Sequence, residues 1–360
     1  MTRRVDWTVL GPAALVAALM PALAMIEPLL LYVHLVAPDN PWTEWPVSAD
    51  ITLPLLALAI LYSAGAWEGT RAPQRFAAWR HLAFFGGLAT IFLALQSPIE
   101  PVSDHVVVVH EIEHMLLGIV APALIMAAAP QAALLRGLPE WTRRHIVAPF
   151  FASRPLRLLG IFRQPVVATV LFVGTTYFWM IPRFYDLALL DEPVHYIWHL
   201  TLLLSGLLFF WCLLDPRPYP YGASLGARLF MLWLGSMGHV LLGAFLSFKT
   251  VALYHAYDEL GRWWAVSPVT DEQLGGLTMW VPGCTMIAFA GLLMIFRRLR
   301  QEEKSAARAA PITDAAEFLA RRRAANRALA LGLLAFAGSG LLIALVTALA
   351  YHYSAAFSAS

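Results

Sequence analysis

The chain has 360 residues, 59% apolar and only 13% charged, with 25 Lys and Arg against 23 Asp and Glu. That balance excludes a disordered chain, a coiled coil and a basic nucleic-acid binder, since an average soluble domain carries about twice the charged fraction. The two cysteines, Cys212 and Cys284, both lie inside apolar runs and cannot build a disulfide framework.

A hydrocarbon core of about 30 Å needs roughly 20 helical residues. About nine apolar runs of that order succeed one another: 9–31, 51–67, 80–96, 106–128, 166–181, 196–214, 229–248, 274–296 and 328–351. The expected fold is all-α, a polytopic membrane bundle of about nine transmembrane helices. Residues 1–300 are expected to form the bundle, 301–327 a charged cytoplasmic linker with a short helix, and 328–360 the ninth span and an outer tail.

The distribution of Lys and Arg tests this reading independently. With the N-terminus and every second loop on one side, that side holds twenty-two of the 25 basic residues, and only Arg183, Lys249 and Arg262 fall opposite. The cytoplasmic excess of positive charge therefore places the N-terminus in the cytoplasm and the C-terminus outside. Arg3 and Arg4 before the first run partly imitate a cleavable signal, but the apolar stretch resumes over 29–36, which favours an anchor. Loop 137–164, with Trp141, Phe150 and Phe151, is expected to lie along the cytoplasmic membrane surface.

The histidines are unevenly spread. His81 and His145 fall on the cytoplasmic side, whereas His34, His105, His110, His114, His195, His199, His239, His255 and His352 fall in the outer half or the outer loops. Polar groups inside hydrocarbon are costly, and their default reading is functional. The fourth span carries His110-Glu111-Ile112-Glu113-His114-Met115, with His114 roughly 12 Å below the outer surface at 1.5 Å per residue. His110 and His114 are four residues apart, so they share one helix face and can hold one metal ion. His195 and His199 repeat that spacing in the sixth span, and His239 lies at comparable depth in the seventh.

These five imidazoles are the expected metal ligands. The alternative for a single intramembrane histidine is an interhelical hydrogen bond. His34, His105, His255 and His352 read as solvated residues near the interface. Glu111 and Glu113 are candidates for orienting the imidazoles, ligating directly or relaying protons, the first role being preferred for Glu113. Glu27 reads as a structural pairing residue. Met115, Met180, Met237, Met279 and Met286 are thioethers of the kind that favours Cu(I), although methionine in membrane helices usually packs. Cys212 and Cys284 lie at different depths and form no joint site.

Three stretches carry a resemblance. The first is His110 and His114 followed by Met115-Leu116-Leu117, Ala121-Pro122 and Pro130. The second is Pro182-Arg183-Phe184-Tyr185-Asp186 followed by His195, His199 and Gly206 to Trp211. The third runs from Ser267 through Asp271-Glu272-Gln273-Leu274-Gly275-Gly276 to Met279-Trp280-Val281-Pro282-Gly283. Together they resemble the bacterial CtaG family of cytochrome c oxidase assembly factors, over roughly residues 51–300, with spans one and nine as additions to that core.

The resemblance implies a non-enzymatic role in maturing haem-copper oxidases, by supplying or inserting copper of unassigned oxidation state. It implies a multi-pass location in the bacterial cytoplasmic membrane. It also implies oxidase subunits as partners, with a periplasmic copper donor besides the lipid bilayer. The family's histidine pair maps onto His110 and His114, and its later histidines onto His195 and His199. Glu113 and Glu272 stand where the family pattern has Gln, and Met180 where it often has His.

Other classes remain open at this point: a membrane haem or redox protein, a copper transporter, or a membrane metallohydrolase using the His110-Glu111-x-x-His114 pattern. Thr270 and Gln273 read as a capping box opening the eighth span, with Asp271 favourable in its first turn or serving a site or docking role.

Overall fold

A computed structural model describes residues 45–69, 77–153, 159–215, 217, 222–263 and 267–280. The expected first and ninth spans, the 301–327 segment, the outer tail, the second half of span eight, and Glu27, His34, Cys284, Met286 and His352 lie outside the described residues. The chain divides into two units, Met1–Leu292 and Leu293–Ser360, and every described residue belongs to the first.

All regular elements among the described residues are helical. The long ones are α1 (Ala49–Gly69), α2 (Ala78–Gln96), α3 (Val107–Ala128), α4 (Pro165–Trp179), α5 (Pro182–Leu190), α6 (Glu192–Leu214), α7 (Leu225–Phe248) and α8 (268–280). Five of them are long and apolar enough to cross a membrane, or six if the broken pair α4–α5 forms one span. The apolar outward face agrees with a multi-pass membrane protein, since Leu53, Ile60, Leu82, Val166 and Leu241 expose 62–70% of their surface. Trp141, Phe150 and Phe151 are exposed on short helical turns between α3 and α4.

Local chemistry sets the helix ends, and several differ from the expected ones. α6 begins at Glu192 rather than 196, because the Asp191 carboxylate accepts the Val194 N–H at 3.1 Å and Pro193 sits in the first turn. His195 is thereby inside the helix. α7 begins at Leu225 rather than 229, where the Ser224 hydroxyl accepts the Ala227 N–H at 3.2 Å. The capping box of Thr270 and Gln273 does not form. Ser267 caps α8 instead, accepting the Thr270 N–H at 3.2 Å, while the Gln273 amide donates to the Lys249 carbonyl at 2.8 Å.

Two irregularities were invisible in the hydropathy pattern. α3 contains a π turn over Leu116–Val120, directly after the histidine pair. α4 and α5 meet at a 75° bend, because Ile181 precedes Pro182 and takes an extended ψ of 123°.

Close backbone approach at glycine holds the bundle together. A Cβ on Gly206 of α6 would lie 2.2 Å from the Gly118 carbonyl of α3, so these two histidine-bearing helices touch backbone to backbone one turn below His114. α7 and α8 cross the same way at Gly243 and Gly276. The Arg228 guanidinium donates to the carbonyls of Leu213 at 3.0 Å and Asp215 at 2.7 Å, tying the end of α6 to the start of α7.

Candidate metal centre

The spacing of four residues does what helical periodicity requires. His110 and His114 lie side by side on α3 with ring centroids 4.2 Å apart, and His195 and His199 do the same on α6 at 4.3 Å. The Gly118–Gly206 crossing brings the two pairs face to face. One nitrogen from each of the four rings lies within 4.8 Å of all the others. Nε2 of His110 and Nε2 of His195 are 3.3 Å apart. That one distance equals the edge of about 3.3 Å that metal–nitrogen bonds of about 2.05 Å would give in a tetrahedron, while the four nitrogens as a set span up to 4.8 Å.

His110 is held from behind. The Tyr257 hydroxyl bonds His110 Nδ1 at 2.7 Å, and Tyr185 reaches the same nitrogen at 3.3 Å and Tyr257 at 2.9 Å. This fixes the ring and leaves Nε2 facing the other imidazoles, the arrangement that orients a metal-binding histidine. Trp198, fully buried, forms a wall against His114 and His110 at 4.3 and 5.0 Å. The α3 pair is buried, whereas the α6 pair retains partial exposure.

The carboxylates differ from one another. Glu113 is fully buried, has no hydrogen-bond partner among the described residues, and has His199 Nε2 at 3.5 Å and the Ser103 hydroxyl as polar neighbours. Glu111 points to the other side of α3, where it lines a cavity with His114, Met115, Met180, His239 and Met279. His239 is therefore not among the four clustered rings. Its Nδ1 donates to the Gly235 carbonyl at 2.9 Å, because that oxygen can only accept. Asp271 touches no imidazole: its carboxylate accepts the Val107 and Val108 N–H groups at 3.1 and 3.2 Å. It caps α3 from across the bundle, a role the sequence did not suggest for a residue in the first turn of its own helix.

Outside the spans, the carboxyl of Asp104 is pushed up to about 7 by burial, with the like charge of Glu100 adding to it. The His105 imidazole is held below its usual range by burial, against a 2.6 Å hydrogen bond to the Gly261 carbonyl. His105 stacks on Trp263 at 4.0 Å rather than standing free in solvent. His255 is exposed beside Asp258. Sequence reasoning gave no role to Tyr257 or Trp198. Tyr185 stood in one of the matching stretches without its contact to His110 being foreseeable.

Comparison with known proteins places the chain among relatives. Uncharacterized proteins of Mycobacterium bovis and Mycobacterium tuberculosis are each 25% identical over 283 residues, and one of Mycobacterium leprae is 24% identical over 286. Each match covers 74% of this chain but 41% of the relative, so the chain spans about two fifths of the length of these curated relatives. No solved structure matches. The sequence pattern that defines the cytochrome c oxidase caa3 assembly factors matches residues 60–301, which contain both histidine pairs, and the chain belongs to that family.

Proposed function

We propose that this assembly factor binds copper at His110, His114, His195 and His199 and hands it to a haem-copper oxidase subunit docked against the bundle. The observation that carries this reading is the convergence of four imidazole nitrogens within 4.8 Å, two from each of two helices. Imidazole suits copper, and an open set of neutral ligands exchanges its ion more readily than a closed thiolate cage. The partly exposed α6 pair would receive the ion and the buried α3 pair would retain it. Glu113, beside His199, would supply negative charge next to an otherwise neutral ligand set once a bound cation displaces its proton.

In this reading the bundle sits in the bacterial cytoplasmic membrane with the histidines toward the periplasm, where a copper donor delivers the ion. The excess of Lys and Arg on the other side of the sequence-derived topology supports that orientation. No bond of a substrate is broken, so the role is that of a carrier rather than an enzyme.

The test compares the detergent-purified wild type with a His110→Ala/His114→Ala double variant. The wild type is expected to retain copper through gel filtration. The variant should lose at least tenfold in occupancy and fail to restore copper content and activity to the oxidase in cells lacking the native chain. A variant that matures the oxidase fully would overturn the proposal.

A further inference from the structure

The cavity beside the four-histidine cluster has features that cluster does not explain. Its volume is about 20 Å³, room for a single water or ion. Around it stand Glu111, His114 and Met115 of α3, Met180 at the α4–α5 bend, His239 of α7 and Met279 of α8. The Glu111 carboxylate is 1% exposed and neither oxygen has a hydrogen-bond partner among the described residues; both ring nitrogens of His114 are equally without one there. A buried carboxylate without a partner is expensive, and it persists where a proton or cation neutralises it.

The surrounding donors select among cations. With Nδ1 of His239 committed to the Gly235 carbonyl, the lone pair of that ring lies on Nε2, the tautomer a metal needs. Met180 is positioned by the Tyr254 hydroxyl, which lies 3.2 Å from its carbonyl oxygen and 3.4 Å from its sulfur. Gly275 of α8 makes room for Glu111, since a Cβ there would meet the Glu111 Cγ at 3.2 Å. Thioethers with imidazole are soft donors suited to a monovalent soft ion, and a single carboxylate balances a single positive charge.

We propose that this cavity is a second metal station, specific for Cu(I), bounded by Glu111, His114, His239, Met115, Met180 and Met279. It rests on the reading of the bundle as a copper carrier. His114 belongs to both places, so an ion can pass from the all-nitrogen cluster to the sulfur-bearing cavity by exchange at one imidazole. Copper moves as Cu(I) throughout, and no electron is transferred.

The test is anaerobic loading of the purified protein with excess Cu(I), followed by copper analysis and X-ray absorption at the copper edge. The wild type should show both nitrogen and sulfur neighbours. A Met115→Leu/Met180→Leu/Met279→Leu variant should lose the sulfur signal and one equivalent of copper while keeping the nitrogen signal. A His195→Ala/His199→Ala variant should lose the nitrogen-only ion and retain the sulfur-bearing one. Absence of sulfur neighbours in the fully loaded wild type would overturn the second station, whatever the folding of the variants. So would a triple methionine variant that takes up as much copper as the wild type. Failure of the four-histidine reading looks different: the His195→Ala/His199→Ala variant would then lose no copper and no nitrogen signal.

Discussion

Two polar constellations flank the first turns of α3, and they differ in how fully their hydrogen bonds are made. In one, Asp271 caps α3, Arg262 reaches Asp271 at 3.5 Å and donates to the Tyr254 carbonyl at 3.0 Å, and the buried Glu272 pairs with Lys249. Glu272 also accepts the Leu253 N–H at 2.9 Å and the Tyr254 N–H at 3.2 Å, and Lys249 donates to the Val251 carbonyl at 2.8 Å. In the other, Glu111, Glu113 and His114 are as deeply buried, and their side-chain polar atoms make no hydrogen bond among the described residues. A network whose members satisfy one another stabilises the fold; one whose buried acids and imidazoles lack partners costs stability until a proton, water or ion satisfies them. Lys249 and Arg262, two of the three basic residues set apart by the sequence-based topology, are both committed to ion pairs in this closed network.

The largest expected effect comes from breaking the closed network. Lys249→Ala leaves Glu272 buried with two backbone N–H groups but no cation, a break that costs up to about 3–5 kcal/mol. Thermal unfolding in detergent should show a large drop in midpoint, and a midpoint unchanged within error would mean that the pair is not buried in solution. The open network should respond in the opposite direction. Glu113→Leu removes an unsatisfied buried acid and should stabilise the metal-free protein by about 1–3 kcal/mol while weakening copper retention. Destabilisation of the metal-free form would show that Glu113 already has a structural partner.

The smallest effect concerns pH. The Asp104 carboxyl is raised to about 7 in the folded protein, so its contribution to stability is full below its unfolded value of about 4 and lost as pH rises through about 7. The unfolding midpoint of the wild type should therefore fall between pH ~5 and pH ~8 by more than that of Asp104→Asn. Equal slopes would mean that the carboxyl titrates normally.

The sequence displayed what depends on periodicity alone. A spacing of four residues puts His110 beside His114 and His195 beside His199 in any α-helix, and long apolar runs announced the helices that carry them. What depends on distant partners stayed hidden. Tyr257 lies 147 residues from His110 and Asp271 lies 164 from Val107, and no local pattern encodes either contact. His239 shared the depth of the other histidines but not their direction, since depth comes from counting residues whereas direction comes from packing. The capping box at Thr270 satisfied a local rule and was displaced by Ser267, three residues earlier, because Gln273 was needed at Lys249.

The π turn at Leu116–Val120 has a consequence for how the donors are aimed. Each residue advances an α-helix by about 100°, so a wider turn resets the angle between the helical segments on its two sides. The stretch 107–115 can thus point its imidazoles at α6 while 121–128 presents a different azimuth to α2. The direction of the imidazoles and the packing of the following segment against α2 are decoupled on one continuous rod, and neither has to compromise for the other.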